Sequence, residues 1–448
     1  MTGALGDIIA GTPALVKILG AFASILLAVR LKLHLGLAML VGTAVLGLWC
    51  ALPAEAFFGS ILHSATDPST WGLVAIVTLI VVFGKALSLS GRLDRLVAGV
   101  VRRAGSRRRA AAILPAIFGL LPMPGGAYLS APMVGCAAGP EGISPQRMTV
   151  INYWFRHMWE YWWPLYPGVI LTITILEKAR PAGIDLGWFI LFECPLTFAV
   201  FFAGRFFLLG RRYDREAGLF PCRCHEEEKA GDGECSLLRA FSPVLVVIVL
   251  TLAWSGLTIF AGPSLPAIPK SLPLSLFVLV GTVQVFLRDR LGTKGLRAVL
   301  KQRKILDMGA IIMTVMLFRG MIEASGAVDE MGHELERWGI PVLPLTAILP
   351  FVAGLVTGIA VGFVGASFAV VAGLMPESDN HMLLASYYVL AFGAGYVGMM
   401  LSPVHFCLIL SKQYFGSSWR KIYRLLLPPA LLLLACVAAL ALLYRWSA

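Results

Sequence analysis

The chain repeats itself at a constant offset of 235 residues. Phe83, Ser90, Gly91 and Asp94 recur as Phe318, Ser325, Gly326 and Asp329. Ala112, Ile113, Leu114, Pro115, Gly119 and Leu120 recur as Ala347, Ile348, Leu349, Pro350, Gly354 and Leu355. Either block alone arises easily by chance in an apolar sequence, but two in the same order at one offset do not. A duplicated chain is expected to fold as two related units. When the units span a membrane, the seam between them is the expected place for a solute site.

Composition settles the solvent. Apolar residues make up 58% and charged ones 14%, the mean hydropathy is +0.81, and apolar runs of about 17 to 25 residues recur along the chain. The formal charge of +12 therefore does not point to nucleic acid; it fits Lys and Arg retained on the cytoplasmic side of a membrane. The first residues lack a basic stretch and a small-residue cleavage site, so no cleaved signal peptide is expected. Cys222, Cys224 and Cys235 share a polar loop with His225, but their spacing matches no standard zinc finger, and no metal or other cofactor is assigned.

Hydropathy gives ten spans, at about 14–31, 34–50, 70–90, 149–176, 185–209, 241–260, 272–288, 305–324, 381–410 and 425–444. Two further apolar stretches, 111–138 and 342–375, carry too much Pro and Gly for a straight helix facing lipid. Broken backbone at membrane depth survives only inside protein or beside water. These stretches are expected to form re-entrant helical hairpins with tips near 122–127 and 357–362. With the N-terminus outside, this arrangement places 28 Lys and Arg on the cytoplasmic side and 7 outside. The expected fold is an all-α polytopic membrane protein of two repeats, 1–209 and 241–448, joined by a cytoplasmic linker, 210–240. Five spans per repeat is odd, so the second copy is inverted.

The segment from Asn152 to Pro167 reads Asn-Tyr-Trp-Phe-Arg-His-Met-Trp-Glu-Tyr-Trp-Trp-Pro-Leu-Tyr-Pro and sets Arg156, His157 and Glu160 within a span. Ionisable groups in a bilayer are costly unless paired or facing water, which makes them candidates for function. An interfacial aromatic belt is the alternative. Pro164 and Pro167 should break this helix, and its counterpart, Gly393 to Pro403, should be broken by Gly and Pro. At the hairpin tips, half-helix amides attract anions. The expected solute site is Pro124, Gly125, Gly126, Ser130, Asn152, Arg156, Thr357, Gly358, Gly362 and Ser402, with His157 and Glu160 as candidates for proton coupling. The alternative for the tip glycines is close helix packing. Asp94 and Asp329 are expected to cap helices. No catalytic residue is assigned, and no Walker A or hydrolase motif is present.

The stretch Leu121-Pro122-Met123-Pro124-Gly125-Gly126 through Ser130-Ala131-Pro132, followed by Ile151 to Glu160 and Pro164-Leu165-Tyr166-Pro167-Gly168, resembles the uncharacterised integral membrane family numbered 401 among domains of unknown function. That resemblance extends to the ion transporter superfamily, which includes citrate, dicarboxylate, gluconate and arsenite permeases. It implies inverted repeats, re-entrant hairpins, a homodimer and elevator-type alternating access, without naming a substrate. The serine-asparagine-threonine hairpin signature of sodium-coupled dicarboxylate symporters is absent. The expected activity is secondary transport of a small anionic organic solute across the inner (plasma) membrane, driven by H+ or Na+, with lipid as the only other partner. A cation/proton antiporter and an intramembrane enzyme or lipid-handling protein are the alternatives.

Overall fold

The computed structural model describes residues 11–92, 107–120, 126–138, 143–179, 184–210, 237–261, 271–301 and 303–448, and every regular element among them is a helix. The first half holds α1 (Ala14–Arg30), α2 (Leu35–Trp49), α3 (Ala54–Thr66), α4 (Pro68–Leu89), α5 (Arg107–Gly119), α6 (Gly126–Ala138), α7 (Pro145–Arg156), α8 (Pro167–Ala179) and α9 (Leu186–Leu208). The second holds α10 (Leu237–Ala261), α11 (Ser271–Arg288), α12 (Gly292–Leu300), α13 (Arg303–Ser325), α14 (Ala327–Arg337), α15 (Val342–Thr357), α16 (Ala360–Leu374), α17 (His381–Leu401), α18 (Phe406–Phe415) and α19 (Trp419–Trp446). Pro68, Pro145 and Pro167 sit in first turns, where the missing amide costs nothing. Gly358 and Gly416 end α15 and α18 in the left-handed region, which a side chain disfavours.

The chain is a polytopic membrane protein. Five stretches are long and apolar enough to cross a bilayer: Pro68–Leu89, Leu186–Leu208, Ile305–Ser325, His381–Phe415 and Trp419–Trp446. Several shorter apolar helices accompany them, among them α2, α15 and α16. Three elements were not expected from hydropathy: α3, α12 and α14. Asp329 lies in the first turn of α14 rather than at its cap, which is Gly326; Asp94 lies outside the described residues. The 149–176 run is not one helix. It is α7 and α8 separated by an irregular segment, 157–166. The counterpart also departs from expectation, because α17 runs unbroken through Gly393, Gly395 and Gly398 and the interruption falls at 402–405.

Those glycines serve contact instead. A Cβ on Gly398 would lie 2.0 Å from the Phe351 carbonyl oxygen, and one on Gly354 would lie 2.2 Å from that of Gly395. Side chains are absent there because two backbones touch, which is how small residues drive helix association in lipid. Gly119 does the same in the first half, where a Cβ would stand 2.0 Å from the Arg156 carbonyl oxygen.

Packing sorts the helices into two groups, each drawn from both halves of the chain. One contains α1 to α4 and α10 to α14, with α2 against α13 and α4 against α11. The other contains α5 to α9 and α15 to α19, with α15 and α19 on α17, α8 on α16, and α18 on α6 and α7. The groups meet where α16 lies on α13 and α14, α8 on α4, α1 on α15, and α9 on α10. Three polar links tie distant helix ends. The Glu334 carboxylate accepts from the amides of Ala14 and Leu15, at 2.8 and 3.0 Å, and so caps α1 from α14. Arg147, 1% exposed, donates to the carbonyls of Leu208 and Gly210 at the end of α9. Asp67, the N-cap of α4, pairs with Lys178 in the last turn of α8.

Candidate functional site

Ending a helix inside a membrane protein leaves up to four carbonyls without intrahelical partners, and lipid cannot supply them. At the end of α5 the aromatic segment does. Trp159 Nε1 donates to Ala116 O at 2.8 Å, Arg156 Nη1 to Phe118 O at 3.2 Å, Tyr166 Oη to Gly119 O, and Trp163 Nε1 to Leu120 O at 3.0 Å. Segment 157–166 is itself a run of tight turns, with the amides of His157, Glu160, Trp162 and Tyr166 each bonded three residues back. The Trp and Tyr cluster is therefore a set of polar caps packed in the interior and not an interfacial belt. Because α7 ends at Arg156, no continuous helical turn joins Arg156 to Glu160. The end of α17 is treated alike: Tyr153 Oη donates to Met400 O and Tyr423 Oη to Leu401 O.

The two interruptions face one another. Tyr396 of α17 donates to His157 O at 2.8 Å. His405, just before α18, places its Nε2 3.1 Å from Nε2 of His157. Gly358 ends α15 beside them, since a Cβ there would lie 2.9 Å from Ser402 Oγ and 3.0 Å from the His405 amide. Gly168 at the start of α8 is pressed against Ala360 at the start of α16, with 2.6 Å from its virtual Cβ to Ala360 Cβ. Between these parts lies a cavity of about 320 Å³, walled by Arg156, His157, Glu160 and Tyr166, by Val81 of α4, and by Asp307, Met308 and Ile311 of α13. It thus sits on the seam between the two helix groups. Its remaining lining includes Pro167–Gly168, Ile359–Val361 and Phe406–Cys407, which are the starts of α8, α16 and α18. A second cavity, about 130 Å³, surrounds the Arg319–Glu323 ion pair; it is smaller and gathers no comparable set of helix starts.

Of the residues assigned from sequence, Arg156, His157 and Glu160 line the larger cavity. Thr357, Gly358, Gly362 and Ser402 cluster beside it without lining it. Thr357 Oγ1 bonds back to Ala353 O at 2.8 Å, a Cβ on Gly362 would lie 2.6 Å from that oxygen, and Ser402 Oγ accepts from the Val404 amide at 3.3 Å. Ser130 and Asn152 belong to a buried network elsewhere: Ser130 Oγ donates to Asn152 Oδ1 at 2.6 Å, and Asn152 Nδ2 donates to Ser411 Oγ and Ala127 O. Gly126 opens α6. Pro124 and Gly125 lie outside the described residues, as do Cys222, Cys224 and Cys235. The structure adds His405, Cys407, Tyr166 and Asp307. Tyr166 falls in the aromatic segment singled out from sequence and Asp307 is a lone ionisable residue near a span, but nothing local marks His405 or Cys407; the one available signal for those was that a second helix break must bring its own flanking residues to the seam.

The family described as a protein of unknown function, DUF401, matches residues 14–220 and 267–444. The chain belongs to DUF401. Both interrupted helix pairs of this DUF401 protein, and the cavity between them, fall within the matched residues. The chain is also similar to a protein named gluconate permease from Pseudomonas aeruginosa, at 27% identity over 433 residues that cover 90% of each chain.

Proposed function

We propose that this protein is a secondary transporter of a small organic anion, with the solute's carboxylate held in the 320 Å³ cavity. One observation carries the reading: three helix N-termini and the guanidinium of Arg156 converge on that cavity. The opening amides of a helix precede its i→i−4 ladder, and the helix dipole places partial positive charge there; the amides of Val169, Gly362 and Leu408 already bond back to Tyr166, Ile359 and His405, so the amides ahead of them and the dipoles are what the cavity is offered. Three such ends with an arginine face the Glu160 and Asp307 carboxyl groups on the same lining and offer an anion its partners, and a bidentate guanidinium suits a carboxylate. The similar gluconate permease supports a polyhydroxy carboxylate as the solute class. Ile359, Phe406 and Met399 supply apolar walls, as small-molecule sites commonly require.

The proposed architecture has two inverted repeats, 1–209 and 241–448, joined by the linker 210–240, with the N-terminus outside the plasma membrane. Helix order supports it: α4 to α9 recur in the sequence of α13 and α15 to α19, and Gly119 and Gly354, equivalent at the offset of 235, both press against a carbonyl of the helix two places further on. In this reading α5–α6 and α15–α16 are the re-entrant hairpins. Alternating access is of the elevator kind, with the second helix group carrying the solute past the first, and an ion gradient drives it. A solute cavity on the seam between the groups suits that motion. The proposed assembly is a homodimer.

The test is uptake by purified protein in proteoliposomes, offered gluconate and other sugar acids, dicarboxylates and sulfonates under imposed ion gradients. Accumulation of an unchanged carboxylate is expected. Failure to take up any organic anion, or chemical conversion of one, would overturn the reading.

A further inference from the structure

The same seam holds three side chains that the anion reading does not use. His157, His405 and Cys407 are all buried, and their donor atoms lie within 4.8 Å of one another. They come from the break after α7, the break after α17 and the first turn of α18. The geometry points to a binding site for a borderline-soft divalent cation of the zinc class, held by the His157 and His405 imidazoles and the Cys407 sulfur.

Distances favour it. In a tetrahedral site, metal–nitrogen bonds of about 2.0–2.1 Å and metal–sulfur bonds of about 2.3 Å put neighbouring donors roughly 3.3–3.6 Å apart. The two Nε2 atoms stand at 3.1 Å and all three donors lie within 4.8 Å, so a cation spreads the two rings slightly and draws the Cys407 sulfur in. Tautomer chemistry also favours it. His157 Nδ1 lies 2.6 Å from Tyr153 O, a carbonyl that can only accept. The proton therefore sits on Nδ1, and Nε2 turns its lone pair toward His405 and Cys407. A backbone carbonyl holding the far nitrogen is the arrangement that orients histidine ligands. Ring packing fixes the pair further: the imidazoles are edge-to-face at 88°, and the Tyr153 ring contacts both, with centroids at 4.7 and 5.1 Å.

With His157 Nε2 an acceptor, His405 donates its Nε2–H to it across 3.1 Å, and a cation would take the place of that shared proton. A thiolate with two neutral imidazoles suits zinc, cobalt(II) or cadmium and not magnesium or calcium, which prefer oxygen. Binding displaces the thiol proton to solvent. The fourth position faces the cavity, where Glu160 has its Oε1 3.9 Å from His157 Nε2. Arg156 is the cation on the same wall, so the thiolate and Glu160 supply the opposing charge. The inference does not depend on transport, because metal binding is read on the protein alone.

The experiment uses full-length protein in detergent with the other seven cysteines replaced, leaving Cys407. Titration with Co2+ is expected to give a sulfur-to-cobalt charge-transfer band and tetrahedral d–d bands saturating at one equivalent, both abolished by Zn2+. His157→Gln and His405→Gln should each weaken binding at least about 10-fold, with monodispersity on size exclusion showing that the variants are folded. The unmutated site gives a second readout: Zn2+ should slow alkylation of Cys407 by a small thiol reagent, and Mg2+ should not. Absence of the charge-transfer band, undiminished affinity in folded His405→Gln, or an alkylation rate indifferent to Zn2+ would each overturn the assignment.

Discussion

Trp163 donates its indole N–H to Leu120 O, so Trp163→Phe keeps a ring in place and withdraws the donor. An unsatisfied buried carbonyl costs about 1–3 kcal/mol, and denaturant unfolding in detergent should show a loss of that size. Arg156 has a double task, capping Phe118 O and lining the cavity. Arg156→Lys keeps the charge but loses the planar fork. It should cut proteoliposome uptake at least 10-fold, and Arg156→Gln should abolish uptake while the protein still inserts. Glu193 is a different kind of residue. It is fully buried in α9 and neither carboxylate oxygen has a hydrogen-bond partner among the described residues. Burying such a group is unfavourable, so Glu193→Leu should raise the melting temperature. A fall would mean that the acid has a partner in the working protein.

Helices pack here through bare backbone. A methyl on Gly119 or Gly354 has a carbonyl oxygen 2.0 or 2.2 Å away, which no rotamer change relieves. Gly119→Ala and Gly354→Ala should each cost about 3 kcal/mol or more, at the upper end of overpacking effects. Gly256 in α10 meets nothing within 4 Å, and Gly256→Ala should be neutral or mildly stabilising for the same measurement. The sequence carried much of this level. Pro164 and Pro167 announced a break in the Arg156 helix, and α15 ends at Gly358, within the 357–362 stretch where a turn was expected. The sequence placed the other break within Gly393–Pro403, and the chain breaks only at the Ser402–Pro403 end, because Gly393, Gly395 and Gly398 weaken a helix in isolation yet are retained where Phe351 and Gly354 approach. The belt kept open as the alternative for the Trp cluster rests on ring amphipathicity, and sequence does not show that the indole nitrogens of Trp159 and Trp163 cap carbonyls of α5. His405 and Cys407 were illegible because their partner, His157, is 248 residues away.

Across the whole molecule, the Asp67–Lys178 pair ties one helix group to the other. Partial burial by itself would raise the Asp67 carboxyl, but hydrogen bonds from Lys178 and Ser69 outweigh it and hold it at about 2. An unfolded Asp titrates near 3.9. The pair therefore stabilises fully above roughly pH 4 and is lost as pH falls through about 2. Asp67→Asn should lower thermal stability at pH 7, and its deficit against the unsubstituted protein should shrink as the pH drops below 4. The proposed topology has its own check: single cysteines at positions 108 and 141 should react from the cytoplasmic side, and those at 336 and 379 from outside. Opposite-side labelling within either pair would rule out the hairpin reading.

The cap that Glu334 places on Ala14 and Leu15 reaches across 320 residues of chain. A ribosome delivers α1 long before α14 exists, so α1 forms before the carboxylate that caps its leading amides. Biogenesis is therefore not a march from one end to the other: an early helix end is fastened late. A nascent chain arrested before position 334 should leave α1 open to extraction or protease, and release of the arrest should close it.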